Sequence, residues 1–122
     1  MKNFIKNWQT VVAYKLVRIK GGKLYPLFIN RNEEIKMYQW LPAQCHPTKG
    51  FAVRHGWHCT QIPVAPHLKL KLKSGEQRVW VMVIVENFAM YQRPESQGGT
   101  WILAQKMMVL EVLKESDIRE ET

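Results

Sequence analysis

Cysteine is scarce in this sequence, and so are long apolar runs. The 122 residues include two cysteines, Cys45 and Cys59, too few for the disulfide framework of a small secreted domain. The longest apolar run, residues 79–85, is far shorter than a membrane span, and the N-terminus lacks the apolar stretch of a signal peptide. These absences predict a protein of the cytoplasm with no membrane segment.

Common nucleotide-binding and metal-binding motifs are missing as well. The sequence contains no G-x-x-x-x-G-K-[ST], G-x-G-x-x-G or H-E-x-x-H motif. The spacing of the loosely clustered cysteines and histidines matches no standard zinc site: Cys45, His46, His55, His58, Cys59 and His67. Side chains of residues adjacent in sequence would also point in opposite directions on a strand, so they would not bind one ion together. A nucleophilic Cys59 would need a lowered pKa. We therefore predict no metal site, no cofactor and no catalytic residue.

Acidic residues are few and unevenly distributed. Ten aspartates and glutamates stand against 18 lysines and arginines, which gives a net charge of +8. The first acidic residue is Glu33, and half of the ten lie in residues 111–122. A body this basic attracts phosphate groups or acidic partners, although the same excess could serve solubility alone.

β-Branched and aromatic residues dominate the segments between turn signals. This pattern predicts strands at residues 12–20, 23–29, 68–73, 78–86, 100–103 and 106–113, the last two being separate or one bent strand. Gly21-Gly22 indicates a hairpin turn, and Pro26 favours a sheet edge. Strand and helix patterns compete over residues 33–41.

We predict one globular domain, residues 1–113, followed by a charged tail, residues 114–122, that is frayed or forms a short helix. The fold class is α+β and strand-rich. Its core would be one compact, mostly antiparallel sheet, or a small barrel or split sheet, with one or two short helices.

A row of lysines is the strongest indication of nucleic-acid binding. On a strand, the LKLKLK segment places Lys69, Lys71 and Lys73 on one face, about 6.6–7 Å apart, close to the spacing of phosphates along a nucleic-acid strand. Arg18 and Arg54 would add phosphate contacts. The alternative is an edge strand that lysines protect from aggregation.

A second candidate site is a ligand pocket for a nucleotide. It would combine an arginine for phosphate, a tryptophan for stacking and histidines for hydrogen bonds, with two residues of the RPESQGG loop: Arg54, Trp57, His58, His67, Arg93 and Glu95. The alternative is a plain turn whose tryptophan belongs to the core, and this alternative is favoured because aromatic residues more often fill cores.

Five segments carry a resemblance that covers residues 12–113: YKL (14–16), PLFINR (26–31), PTKGFAVRHGWHC (47–59), APHL (65–68) and RPESQGGTW (93–101). In these segments the chain resembles a group of small proteins encoded by phages and mobile elements of gut bacteria. The resemblance implies a mobile-element origin. Phage proteins of this size often inhibit host defences, as anti-CRISPR proteins do.

A weaker similarity links the chain to ADP-ribosyltransferase-like folds. It rests on YKLVRI, on the turn at residues 56–60, on Ala65 and on RVWVMVIVE. Where that family has an NAD-binding histidine or arginine on the first strand, this chain has only Lys15 and Arg18. Glu95 could correspond to the family's late acidic residue, but the sequence around it does not match. The similarity therefore implies a shared fold, and no catalytic residue is carried over.

Three functions follow from these observations. The favoured one is a non-enzymatic, phage-type accessory protein that engages nucleic acid or a nucleoprotein complex, with a host defence protein as a further partner. The second is a nucleotide-binding or ADP-ribosyltransferase-like protein with a pocket around His58. The third is a module for protein interaction, which a large exposed apolar patch would support.

Overall fold

A computed structural model describes residues 10–27, 31–43, 56–64 and 70–114 of the chain. These residues form six strands: β1 (Thr10–Lys20), β2 (Lys23–Tyr25), β3 (Leu41–Pro42), β4 (Trp57–Thr60), β5 (Gln77–Gln92) and β6 (Thr100–Val112). The helical structure among them is one three-residue 3₁₀ turn, Glu95–Gln97. The described residues are therefore mostly β, with a single antiparallel sheet.

The sheet closes on itself. Strand β5 pairs with β1 along one edge and with β6 along the other. Strand β4 then links β6 back to β1, through the pairs Thr60–Trp101 and Tyr14–Thr60. The circuit β1–β5–β6–β4–β1 is a small barrel, one of the arrangements that the sequence predicts.

The segment between β2 and β3 closes the barrel a second time. Ile35 forms a bridge with Leu24 of β2, the Tyr38 amide donates to the Val109 carbonyl of β6 at 2.9 Å, and Leu41 pairs with Met107. Ile35 is buried with the barrel core, and Met37 packs against it. Residues 31–43 thus connect β2 to β6 along the wall of the barrel, with Ile35 turned into the core.

Two apolar clusters lie on opposite faces of the strands. The interior cluster is built from alternate residues of β1, β4, β5 and β6: Ala13, Val17, Cys59, Val81, Val83, Val85, Ile102, Ala104, Met107 and Val109. The outer cluster contains Leu16, Leu27, Trp80 and Trp101. Burial on both faces explains why β5 reads as an almost continuous apolar run.

Two local features let the 16-residue strand β5 curve around the barrel. Its register with β6 shifts between Met82 and Val83, and Asn87 has a φ of +53°. Irregularities of this kind bend a strand and increase its twist. The hairpin between β1 and β2 turns at Gly21 and Gly22, both with positive φ, as their sequence predicts.

Several expectations from the sequence need correction. The α+β class with one or two helices becomes mostly β, because residues 33–41 pair with β2 and β6 instead of forming a helix. Residues 70–73 of the expected strand 68–73 form one bridge, Lys71–Gln77, and then a turn. Residues 100–112 are one continuous strand. The tail beyond residue 114 lies outside the described residues.

Candidate nucleic-acid interface

Basic residues from four segments meet at one end of the barrel. Lys20 pairs with Lys23 across the β1–β2 turn, and Arg18 pairs with Arg78 where β5 begins. Gln77 lies between Ile19 on one side and Lys71 on the other, so the backbones of Ile19 and Lys71 are about 10 Å apart. We call this region the basic end: Arg18, Lys20, Lys23, Arg31, Lys71, Lys73 and Arg78.

One carboxylate organises the arginines of the basic end. Glu76 accepts hydrogen bonds from Arg31 and, at 3.0 Å, from Arg78, whose side chain is 8% exposed. Burial alone would raise the pKa of the Glu76 carboxyl, but the two arginines outweigh it and hold that pKa below its ordinary value. Glu76 therefore stays ionised and fixes the segment at residue 31 against β5.

Arg18 has a structural task within the described residues. Its Nε donates to the Pro26 carbonyl at 3.1 Å, and its guanidinium also donates to the Arg31 carbonyl. It also lies over the Tyr25 ring, 5.4 Å from the centroid. Arg18, a predicted phosphate-binding residue, thus ties β1 to Tyr25, Pro26 and Arg31, and its charge contributes to the basic end from that position.

Lysines make up most of the exposed part of the basic end. Four lysines are exposed, together with Arg31: Lys20, Lys23, Lys71 and Lys73. Lys71 and Lys73 do not share a regular strand face, because the chain turns at residues 73–74. Their predicted partners Lys69 and Arg54 lie outside the described residues. Among the described residues, Lys71 and Lys73 belong to a patch that also includes Lys20 and Lys23 of the β1–β2 hairpin.

Two described residues of the predicted ligand pocket, Trp57 and His58, point away from each other. Trp57 and His58 are neighbours on β4 and point to opposite faces. Trp57 packs against the interior cluster and donates its Nε1 proton to the Leu41 carbonyl at 3.0 Å. His58 faces outward, with its Nδ1 2.7 Å from the Tyr91 hydroxyl. A single ligand cannot contact both side chains from one side of the sheet.

The RPESQGG loop is held by contacts within itself and with Trp101 of β6. Arg93 lies 5.0 Å above the Trp101 ring and donates to the Gln97 side chain at 2.9 Å. The Trp101 indole donates to the Gln97 carbonyl at 2.7 Å, while Glu95 is exposed in the 3₁₀ turn. The geometry gives Arg93 a role in shaping the loop. His67, the remaining predicted pocket residue, lies outside the described residues.

A lysine inside the barrel is a feature that sequence reasoning missed. Lys15 pairs with Val81 and follows the inward-facing parity of Ala13 and Val17. Its Nζ donates to the His58 carbonyl at 2.9 Å and lies 5.8 Å from the Trp57 ring centroid. Burial lowers the pKa of Lys15, and nearby Cys59 opposes that shift. The alternation of side chains in residues 12–20 could have predicted this inward position, because Lys15 is two residues from both Ala13 and Val17 and so falls on the same face of the strand.

Cys59 is a buried thiol. Its side chain is fully enclosed, and burial raises its pKa to about 11, with Lys15 acting in the opposite direction. A reactive cysteine needs a lowered pKa and access, and Cys59 has neither. Among the described residues, no three histidine, cysteine or acidic side chains are grouped so that they could hold a metal ion.

A cleft at the basic end is too small for a nucleotide. It is lined by Leu70, Lys71, Gln77, Arg78, Val79, Trp80 and Leu113, and its volume is about 150 Å³. Ligand pockets usually measure about 300–1,000 Å³. The cleft therefore does not enclose a molecule of nucleotide size.

Comparison of the chain with protein-family models, with curated proteins and with solved structures finds no match. The resemblances to phage-encoded proteins and to ADP-ribosyltransferase-like folds therefore stay predictions. In the described parts of the chain, the helical structure is too short to cross a membrane.

Proposed function

We propose that this protein binds nucleic acid, free or within a nucleoprotein complex, through its basic end, and that it catalyses no reaction. Four solvent-accessible lysines gathered at one end of the barrel carry the proposal: Lys20, Lys23, Lys71 and Lys73. Phosphate contacts from such side chains supply most of the affinity of non-specific nucleic-acid binding.

The arrangement of the lysines supports this function beyond net charge. They come from the β1–β2 hairpin and from the 70–78 hairpin, which are joined by the pairing of β1 with β5. The arginines behind them are fixed by Glu76 and by backbone carbonyls.

The resemblance to phage and mobile-element proteins suggests the biological setting. A small basic binding protein in the cytoplasm of a bacterial host fits an accessory role, such as inhibition of a nucleic-acid-guided defence complex of the anti-CRISPR kind. The partner is then the nucleic acid of that complex, or the host defence protein that holds it.

The test is binding of labelled oligonucleotides over a range of salt concentrations. The variant Lys71→Gln/Lys73→Gln should weaken binding and reduce the slope of log K against log salt by about 0.7–0.9 for each phosphate that is no longer neutralised. Lys20→Gln/Lys23→Gln should act in the same way. Folding of each variant is checked by circular dichroism.

A matched control variant has the same change in net charge, but at positions outside the basic end. Gln61→Glu/Ser96→Glu also lowers the net charge by two, at exposed positions near the start of β6, the opposite end of the barrel. This control should retain the wild-type salt slope. Equal loss of affinity in the control and in the lysine variants would refute the basic end as the binding surface.

A further inference from the structure

Two exposed aromatic side chains lie on the segment that closes the barrel. Tyr38 is 68% exposed and Trp40 is 39% exposed. By contrast, Trp80 and Trp101 are buried, and the indole of Trp57 is hydrogen-bonded inside the barrel. Large aromatic rings usually bury their faces, so two solvent-facing rings in one short segment require an explanation.

The aromatic pair, Tyr38 and Trp40, is held on a fixed framework. The Tyr38 amide donates to Val109 of β6, and its φ of +62° is a left-handed conformation that tyrosine rarely adopts. Buried Ile35 anchors the segment before the pair, and Leu41 in β3 anchors it after. A costly backbone conformation at an exposed residue suggests selection for how its side chain is displayed.

Positive charges flank the aromatic pair. Lys36 is exposed two residues before Tyr38. Lys106, which pairs with Pro42, has a 55% exposed side chain, and its Nζ lies 3.9 Å from a Glu86 carboxylate oxygen, a loose contact that a phosphate group can replace. The same segment begins at Arg31 in the basic end, while the exposed Glu33 and Glu34 mark an acidic border between the two regions.

Aromatic rings beside lysines match the chemistry of an unpaired nucleic-acid strand. Bases in a duplex are stacked on one another and offer no free face, whereas a single strand can place its bases on protein rings. We infer, on the basis of the proposed function, that the ligand is single-stranded nucleic acid whose bases stack on Tyr38 and Trp40 while Lys36 and Lys106 contact its phosphates.

The experiment compares a single strand of about 20 nucleotides with a duplex of the same length, using the full chain at one salt concentration. Tyr38→Ala and Trp40→Ala should each weaken single-strand binding by at least about 5-fold and leave duplex binding unchanged. Tyr38→Phe and Trp40→Phe keep a ring and should stay within about 2-fold of the wild type. Thermal unfolding of each variant verifies the fold.

Tryptophan fluorescence provides a second readout that a purely structural role would not change. Stacking of a base on Trp40 should quench its emission on titration, and Trp40→Phe should lose that quenching while still binding the strand. Quenching that is unchanged in Trp40→Phe contradicts the proposed contact. Equal loss of binding in the alanine and phenylalanine variants of either position also contradicts it.

The outcomes separate this inference from the proposed function. If the wild-type protein binds neither oligonucleotide at low salt, both proposals fail, and a protein partner for the aromatic pair takes their place. If single strand and duplex bind equally and the alanine variants change nothing, the aromatic pair is refuted while the basic end stands.

Discussion

The buried lysine offers the sharpest test of the physical reasoning. Lys15 points into the barrel and is partly buried; among the described residues its Nζ donates one hydrogen bond, to the His58 carbonyl, and the Trp57 ring centroid lies 5.8 Å away. The ion pairs seen among the described residues join other side chains. Removing an ammonium from water costs several kcal/mol, whereas one hydrogen bond from a charged group returns about 1.5–3 kcal/mol. Lys15→Met should therefore stabilise the protein.

The expected gain follows from these opposing contributions. Methionine has a similar length and fills the same space with apolar atoms. Replacing buried ion pairs by apolar side chains has been neutral or stabilising by up to about 4 kcal/mol in other proteins, so we expect about 0.5–2 kcal/mol for the partly buried Lys15 after the loss of its hydrogen bond. For a chain of this size, each kcal/mol raises Tm by about 3–6 °C.

The effect should also depend on pH in a defined direction. Because the folded-state pKa of Lys15 lies below the unfolded value of 10.5, the unfolded chain binds more protons between those two values. Wild-type stability at this site therefore rises with pH through that window, and the penalty is complete below the folded pKa. The advantage of Lys15→Met should be largest near neutral pH and should shrink as pH approaches 10.5.

Urea unfolding followed by tryptophan fluorescence, at neutral and at alkaline pH, measures both effects. Lys20→Met is the matched control, since Lys20 is an exposed lysine on the same strand and its replacement should change stability by no more than about 0.5 kcal/mol. A destabilised Lys15→Met variant, or a gain that does not change with pH, would refute the account of a costly buried ammonium.

Three further predictions concern other parts of the barrel. Glu76→Gln removes the carboxylate between two arginines and should increase oligonucleotide affinity a few-fold, as fluorescence anisotropy would report; unchanged affinity would contradict this prediction. Because the pKa of Cys59 is raised from 9.0 to about 11, the unfolded state ionises first, and stability should fall between those pH values by about 2–3 kcal/mol relative to Cys59→Ala. Parallel pH profiles of the two proteins would refute the shift. Gly56→Ala places a Cβ 2.7 Å from Leu103 Cδ1 at a φ of +134° and should cost about 2–4 kcal/mol, whereas Gly75→Ala, with nothing within 4 Å, should cost less; equal losses in Tm would reject the steric explanation.

Features governed by neighbouring residues were predictable from the sequence. The alternation in residues 12–20, the apolar run in 78–86 and the paired glycines between β1 and β2 all predicted the observed elements. Such features depend on the period of the strand and on which residues tolerate positive φ. The positive charge of the lysine-rich segments was also predictable, because it can be counted from the sequence.

Features that depend on distant partners were not predictable. The LKLKLK pattern predicted a strand, but its described part has a single bridge, to Gln77 at the start of β5. Trp57 and His58 looked like one pocket because they are adjacent in sequence, yet a strand sends neighbouring side chains to opposite faces. The exposure of Tyr38 and Trp40 depends on how residues 31–43 lie along the wall of the barrel.

The sequence by itself determined a basic, strand-rich chain with a hairpin at Gly21-Gly22 and a long apolar strand in its second half. Only the tertiary structure decided that these strands close into a barrel, that Lys15 faces inward, and that lysines from two hairpins share one end. The physical reason is that strand pairing joins residues far apart in the chain, and its energy depends on partners that no local pattern contains.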